Sequence, residues 1–263
     1  MKIQGKRVLL TGAAGGIGQA IARRLASEGA EMVLTGRNEQ TLAALGKDLN
    51  ARIIACDLLK PDDVRRLVDE AGSVDILVAN AGLPGTAPLT RFSFNAIGRV
   101  LDVNLQAPIL LANALIEPMR ARGGGHMVFI SSMAGKVASP LSSLYSASKY
   151  GLRGFAQCLR LELHDDRIGV SCIFPGIIRE AGMFVNSGAT PPPGVGTNSP
   201  DEVARAVLRA IEDNVAEIDV APATVKMWSA LATLAPGFTG WIQRKVGADK
   251  FVEQYTRGNQ MKK

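Results

Sequence analysis

Seven short runs of branched and aliphatic residues, spaced by stretches long enough to cross over, leave this 263-residue chain few folds to choose from. The runs are Arg7 to Thr11, Glu31 to Thr35, Arg52 to Cys56, Asp75 to Ala79, His126 to Ser131, Gly169 to Phe174 and Glu217 to Val220. Between them a helical period recurs near Gly18 to Ser27, Glu39 to Leu49, Pro61 to Glu70, Asn95 to Arg120, Ser143 to His164 and Pro200 to Asp213. Strands that alternate with helices in this way pair in parallel through crossover connections. The strands show no strict alternation of apolar and polar residues, as expected where helices cover both faces of a sheet. Pro61 and Pro200 suit first helical turns, with Lys60 and Ser199 just outside. The expected architecture is α/β: a doubly wound, seven-stranded parallel sheet in one domain over residues 1–263, whose 47% hydrophobic content can fill one large core.

The turn Thr11-Gly12-Ala13-Ala14-Gly15-Gly16-Ile17-Gly18 follows the first strand and opens the first helix, the Rossmann-type setting in which backbone N–H groups cradle a pyrophosphate. Its spacing, G-x-x-x-G-x-G, differs from G-x-G-x-x-G, and glycine turns with a purely structural role are common. Further along, Tyr145 and Lys149 lie four residues apart and so project from one helix face, with Ser132 upstream. A tyrosine hydroxyl ordinarily titrates near ~10, and bringing it to neutrality takes roughly 4 kcal/mol. An ammonium about 4 Å away, at an effective dielectric of ~20, supplies an interaction of that order. The pair therefore reads as a proton-transfer site beside a dinucleotide. Taken singly, Ser132 is a strand end, Asn104 a helix polar residue, and Tyr145 with Lys149 a half-buried aromatic beside a solvated amine. Their joint occurrence turns the reading toward chemistry.

With these elements the chain resembles the classical short-chain dehydrogenase/reductase family over nearly its whole length. The matching positions are Thr11 to Gly18, Asp57, Asn80-Ala81-Gly82, Asn104, Ser132, Tyr145-x-x-x-Lys149 and Pro175-Gly176. The resemblance implies catalysis by Asn104, Ser132, Tyr145 and Lys149. It also implies cofactor contacts from Thr11, Gly12, Gly16, Ile17, Gly18, Arg37, Asp57, Asn80, Ala81, Gly82, Tyr145, Lys149, Pro175, Gly176 and Ile178. Lys149 would hydrogen-bond the nicotinamide ribose, Asn104 would anchor a water behind it, Asp57 would contact the adenine, and the Asn80 turn would border the ribose. A homodimer through the helices at Asn95 to Arg120 and Ser143 to His164 is implied as well. At the end of the second strand stands Arg37, where a carboxylate would bind the ribose 2′-hydroxyl of NAD. An arginine pairs instead with a 2′-phosphate, which favours NADP(H), unless Arg37 is only a solvated surface residue. Near residue 180, where the family places a threonine, this chain has Glu180. A carboxylate sits poorly beside a pyrophosphate, so it is expected either to point outward or to meet substrate through Arg179.

Residues 182–199 hold three prolines in a row and several glycines, and are expected to form a mobile substrate lid; an ordinary loop excursion is the alternative. Beyond residue 222, Trp228, Leu231, Leu234, Phe238, Trp241, Ile242 and Val246 indicate one or two extra helices. These either pack over the substrate pocket or a second subunit, or join the basic tail as an interfacial membrane patch. The net charge of +6 is otherwise scattered, which argues against nucleic acid, and no apolar stretch is expected to reach the ~18 residues of a membrane span. Cys56, Cys158 and Cys172 are too far apart for a disulfide framework or a metal cluster, and the N-terminus leaves no room for a secretory h-region, so a cytoplasmic protein is expected. His126 and His164 are assigned no catalytic role. The expected activity is NADP(H)-dependent interconversion of a carbonyl and an alcohol on an apolar small molecule. A non-catalytic dinucleotide sensor and a membrane-associated lipid carbonyl reductase are the alternatives.

Overall fold

The computed structural model describes residues 1–191 and 196–245. Its strands are β1 (Arg7–Thr11), β2 (Glu31–Gly36), β3 (Arg52–Ala55), β4 (Ile76–Ala79), β5 (Gly125–Ile130), β6 (Ile168–Pro175) and β7 (Glu217–Val220). They form one sheet in the order β3-β2-β1-β4-β5-β6-β7, and every neighbouring pair is parallel. The order reverses between β1 and β4, and a sheet that reverses there opens a crevice at the carboxyl ends of those strands.

The helices are α1 (Gly16–Ser27), α2 (Glu39–Leu49), α3 (Pro61–Ala71), α4 (Phe94–Leu101), α5 (Ala107–Ala121), α6 (Ser143–Glu162), α7 (Met183–Ser187), α8 (Pro200–Glu212), α9 (Ala223–Leu234) and α10 (Pro236–Lys245). Successive strand residues face opposite sides, and the core divides accordingly. Val8 and Leu10 of β1 join Ile21, Leu42, Val203 and Ile211 from α1, α2 and α8. Leu9 joins Leu67, Leu111, Leu152 and Leu159 from α3, α5 and α6 on the other face. Helix starts follow local chemistry: Ser199 and Glu202 form a reciprocal capping box ahead of α8, with Pro200 in its first turn.

Two expectations need correction. The run from Asn95 to Arg120 is not one helix, because a π turn over Asp102–Gln106 separates α4 from α5. Taken end to end, Phe94–Ala121 is also long and apolar enough to cross a membrane, contrary to the sequence reading. Here Leu111, Leu115 and Met119 of that stretch are buried in the core of the sheet. The edge strand β7 is fastened by Glu217, which accepts from Arg153 at 2.7 Å and meets Lys136 at 3.0 Å.

Candidate active site

The glycine turn between β1 and α1 is shaped by close approach. Gly12 has φ +65°, and a Cβ on it would lie 2.8 Å from Ala81 Cα. A Cβ on Gly18 would lie 2.2 Å from Gly12 O. Gly16 is bare for a different reason, since its Cβ would meet that of Ala181, in the segment after β6, at 2.2 Å. No side chain caps the first turn of α1, which leaves its amides to an anion. Thr11 and Asn80 lock the turn to β4. Thr11 Oγ1 accepts from the N–H groups of Asn80 and Ala81 at 3.0 and 3.1 Å, and Asn80 Nδ2 donates to the carbonyls of Thr11 and Gly12. Both amide hydrogens of Asn80 are thus used inside the protein, and its contribution to the cleft is mainly shape.

A cleft of about 450 Å³ lies over this turn, lined also by Thr35, Arg37, Asp57, Ala81 and Gly82. Arg37 is exposed and is the cleft's cation, whereas Asp57 is its acid. Asp57 Oδ1 accepts from Leu59 N at 3.2 Å, which fixes the carboxylate in a local turn. Buried at the end of β2, Thr35 Oγ1 has no hydrogen-bond partner among the described residues. Bare glycines, uncapped amides, an orphaned hydroxyl and one arginine are the donor set that a phosphate-bearing dinucleotide requires, so the residues present fit one.

A second cavity, of about 250 Å³, is lined by Ser131, Ser132, Tyr145, Lys149, Pro175, Gly176 and Ile178, and by Thr86, Ser142 and Phe184. Ile17, Asn80, Gly82, Gly182 and Met183 line both cavities, which therefore adjoin along one groove face. Ser142, just ahead of α6, and Tyr145 and Lys149 on it line the same side of the groove at i, i+3 and i+7. Gly85 lets the loop after β4 reach them, for a Cβ there would stand 3.2 Å from Tyr145 N. Lys149 is 3% exposed, and its Nζ donates to Ile130 O at 2.9 Å and lies 5.8 Å from the Tyr145 ring centroid. Burial pushes its ammonium down to about 8. The loop carrying Ser132 is clamped to α6, since Ser131 Oγ donates to Lys149 O at 3.0 Å. Ser132 Oγ accepts from Ala134 N at 3.2 Å, which leaves its O–H free to donate into the cavity.

Asn104 sits inside the π turn and is fully buried. Its Oδ1 accepts from Leu83 N at 2.7 Å, and its Nδ2 donates to Leu83 O and Ser148 Oγ at 3.0 and 3.2 Å. Ser148 Oγ in turn donates to Tyr145 O at 2.7 Å. The amide therefore braces the segment after β4 against α6, and neither of its donors is free for a water.

Glu180 has φ +71° and is exposed, its carboxylate 3.0 Å from Arg179 Nε. Of the two orientations expected, the structure has the outward one, and Ala181 takes the place against Gly16. Residues 182–199 contain α7, which brings Met183 and Phe184 over the groove; residues 192–195 of that segment lie outside the described residues. His126, at the other end of β5, meets Ser171 Oγ at 2.9 Å and is held down to about 3 by burial, so it is neutral and remote from the groove. Sequence reasoning missed Thr86, Ser142, Met183 and Phe184. The i−3 spacing of Ser142 from Tyr145 was the signal available for it.

Known proteins resemble the chain throughout. A family model described as short chain dehydrogenase matches residues 6–191. Ketoacyl reductase HetN of Nostoc sp. is 32% identical over 263 residues, covering 95% of this chain and 92% of that protein. Dehydrogenase/reductase SDR family member 7B of Xenopus tropicalis is 35% identical over 258 residues, 89% of this chain and 83% of that protein. The 3-oxoacyl-acyl-carrier-protein reductase FabG of Rickettsia conorii is 37% identical over 179 residues, 67% of this chain and 74% of that protein. A solved short chain dehydrogenase/reductase family protein superposes with a TM-score of 0.78 at 30% identity, covering 83% of this chain and 97% of that one.

Proposed function

The chain belongs to the short-chain dehydrogenase/reductase family of oxidoreductases, and on that premise we propose that it uses NADP(H) to interconvert a carbonyl and an alcohol on an apolar small molecule. One observation carries this: the cleft over the glycine turn adjoins the cavity on which Ser132, Tyr145 and Lys149 converge, the two sharing five lining residues. A nicotinamide held at that junction would have the proton donors beside it.

When bound, NADPH supplies the hydride. The chain supplies proton, orientation and charge. As the carbonyl carbon is reduced, its oxygen gains negative charge; the Tyr145 hydroxyl gives it a proton and the Ser132 hydroxyl donates a hydrogen bond to it. The Lys149 ammonium steadies the Tyr145 oxygen once the proton has left. In reverse, the Tyr145 oxygen takes the alcohol proton. Asn104 is a positioning residue, bracing Leu83 and α6 so that the donors keep their places. Arg37 would pair with the 2′-phosphate, Asp57 would meet the adenine, and the uncapped start of α1 with Gly12, Gly16, Ile17 and Gly18 would receive the pyrophosphate. Among the described residues, those lining the substrate cavity are uncharged apart from Lys149, which favours an apolar compound. The free thiols of Cys56, Cys158 and Cys172 elsewhere in the chain suit the cytoplasm. The homodimer is assigned to α5 and α6; on α6, Tyr150, Cys158 and Leu161 are exposed, and a Cβ on Gly154 would meet no described residue within 4 Å.

A panel of ketones and aldehydes of increasing alkyl length, followed by loss of reduced-nicotinamide absorbance, tests the proposal. NADPH should give at least about tenfold higher kcat/KM than NADH, rising with chain length. Equal use of both coenzymes would contradict the assignment of Arg37. Tight NADPH binding with no turnover anywhere in the panel would instead make the protein a dinucleotide sensor.

A further inference from the structure

The two C-terminal helices carry an apolar face that the reaction groove does not use. On α9, Val225, Ser229 and Ala232 fall on one side at i, i+4 and i+7; Val225 packs against the core and the other two are buried. Met227, Leu231 and Leu234 have the same spacing on the opposite side and are 73%, 37% and 84% exposed. α10 adds Phe238 and Trp241, each more than half exposed, with their rings stacked at 6.3 Å. Scattered apolar side chains are ordinary on a surface, but five large ones within residues 227–241 form a patch. Its charge is one-sided. Neither helix contains an acid, and Lys226, Arg244 and Lys245 border the face. Residues 223–263 hold seven Lys and Arg against two acids, so that stretch of sequence carries nearly all of the chain's net +6.

The patch also stands beside the mouth of the substrate cavity. Gln243 Nε2 of α10 donates to Ala138 O at 3.0 Å, next to Ser139 in the cavity lining. Gly196, in the loop after α7, approaches Pro222 so closely that a Cβ on it would lie 2.8 Å from the proline ring. We propose that α9 and α10 form a docking surface for an anionic lipid bilayer, which seats the mouth of the groove at the membrane. The aliphatic and aromatic side chains enter the interfacial layer while the lysines and arginines meet anionic headgroups. An acidic protein surface would satisfy the cations but leave Leu234, Phe238 and Trp241 against charge. Delivery of a lipophilic carbonyl compound straight from the bilayer rests on the oxidoreductase reading above; the docking itself does not.

The chain has two tryptophans, Trp228 and Trp241, so Trp228→Phe leaves Trp241 as the sole reporter. The full chain with this change is floated with vesicles of equal parts phosphatidylglycerol and phosphatidylcholine, and with phosphatidylcholine alone. Flotation with the anionic vesicles, a blue shift of Trp241 emission, and weakening by salt are expected. Adding Leu234→Ser and Phe238→Ser should lower the apparent affinity at least about tenfold, while reduction of a short water-soluble ketone is retained. Failure to float would overturn the proposal, as would flotation indifferent to Leu234 and Phe238. A dimer dissolved by those two changes without vesicle binding would assign the face to a second copy. A Trp241 shift with an acidic carrier protein but not with vesicles would likewise overturn it. Because flotation needs no turnover, floating protein that reduces nothing would sink the oxidoreductase reading and leave the docking surface standing.

Discussion

Lys149 holds an ammonium almost wholly out of water, with Ile130 O as a hydrogen-bond acceptor at 2.9 Å. Burial lowers its pKa from 10.5 to about 8, so the folded protein releases a proton that the unfolded chain keeps up to higher pH. The contribution of this group to stability is therefore fully present above pH 10.5 and is lost as pH falls through about 8. The cofactor-free protein should gain on the order of 3 kcal/mol in unfolding free energy over that window relative to Lys149→Met, measured by urea denaturation at stepped pH. A flat difference between the two proteins would show that the lysine is hydrated. Arg37 makes the other prediction for a single side chain. A charge-assisted pair with a 2′-phosphate contributes about 1.5–3 kcal/mol, so Arg37→Ala should lower kcat/KM for NADPH by about 10- to 100-fold and leave NADH nearly unchanged. Arg37 was legible as a side chain alone, since its position after β2 and the absent carboxylate are local facts. The role of Gly16 was not, because the reason for its bareness is Ala181, distant in sequence and adjacent only in the fold.

The π turn between α4 and α5 shows what an element hides from its sequence. The run from Asn95 to Arg120 reads as one helix because a single wide turn alters neither its composition nor its apolar period beyond it. The turn brings the Asn104 amide onto Leu83, and the strand ends on either side of it were foreseen within a residue or two because aliphatic runs mark them directly. Asn104→Ala would leave both backbone groups of Leu83 without their partner in a partly buried setting. At about 1–3 kcal/mol for each of the two groups left unpaired, a loss of about 2–6 kcal/mol in stability is expected, with kcat falling more than KM rises. Wild-type kcat in a variant destabilised by that amount would separate the brace from the reaction. The start of α1 carries a similar demand: Gly18→Ala forces a Cβ to within 2.2 Å of Gly12 O, and NADPH affinity should drop at least about 100-fold by calorimetry.

Across the whole molecule, one sheet fixes the glycine turn, Asp57, the Asn80 turn and Ser132 at its carboxyl edge, and α6 sets Tyr145 and Lys149 facing them. That layout was readable from the alternation of strands and helices alone. What lay beyond reading was the occupancy of the surface, where α5 and α6 leave Leu161 79% exposed. If those helices form the dimer, Leu161→Glu should yield monomers by analytical ultracentrifugation while leaving turnover within a few-fold of wild type. An unchanged sedimentation coefficient would move the contact elsewhere. The most direct measurement pairs NADPH binding with carbonyl reduction in wild type and Tyr145→Phe. Removal of the one hydroxyl should leave the NADPH dissociation constant within about threefold and cut kcat at least about 1,000-fold on every carbonyl compound the wild type reduces. Turnover by Tyr145→Phe within tenfold of wild type, with NADPH still bound, would contradict the assignment of Tyr145 as the proton donor.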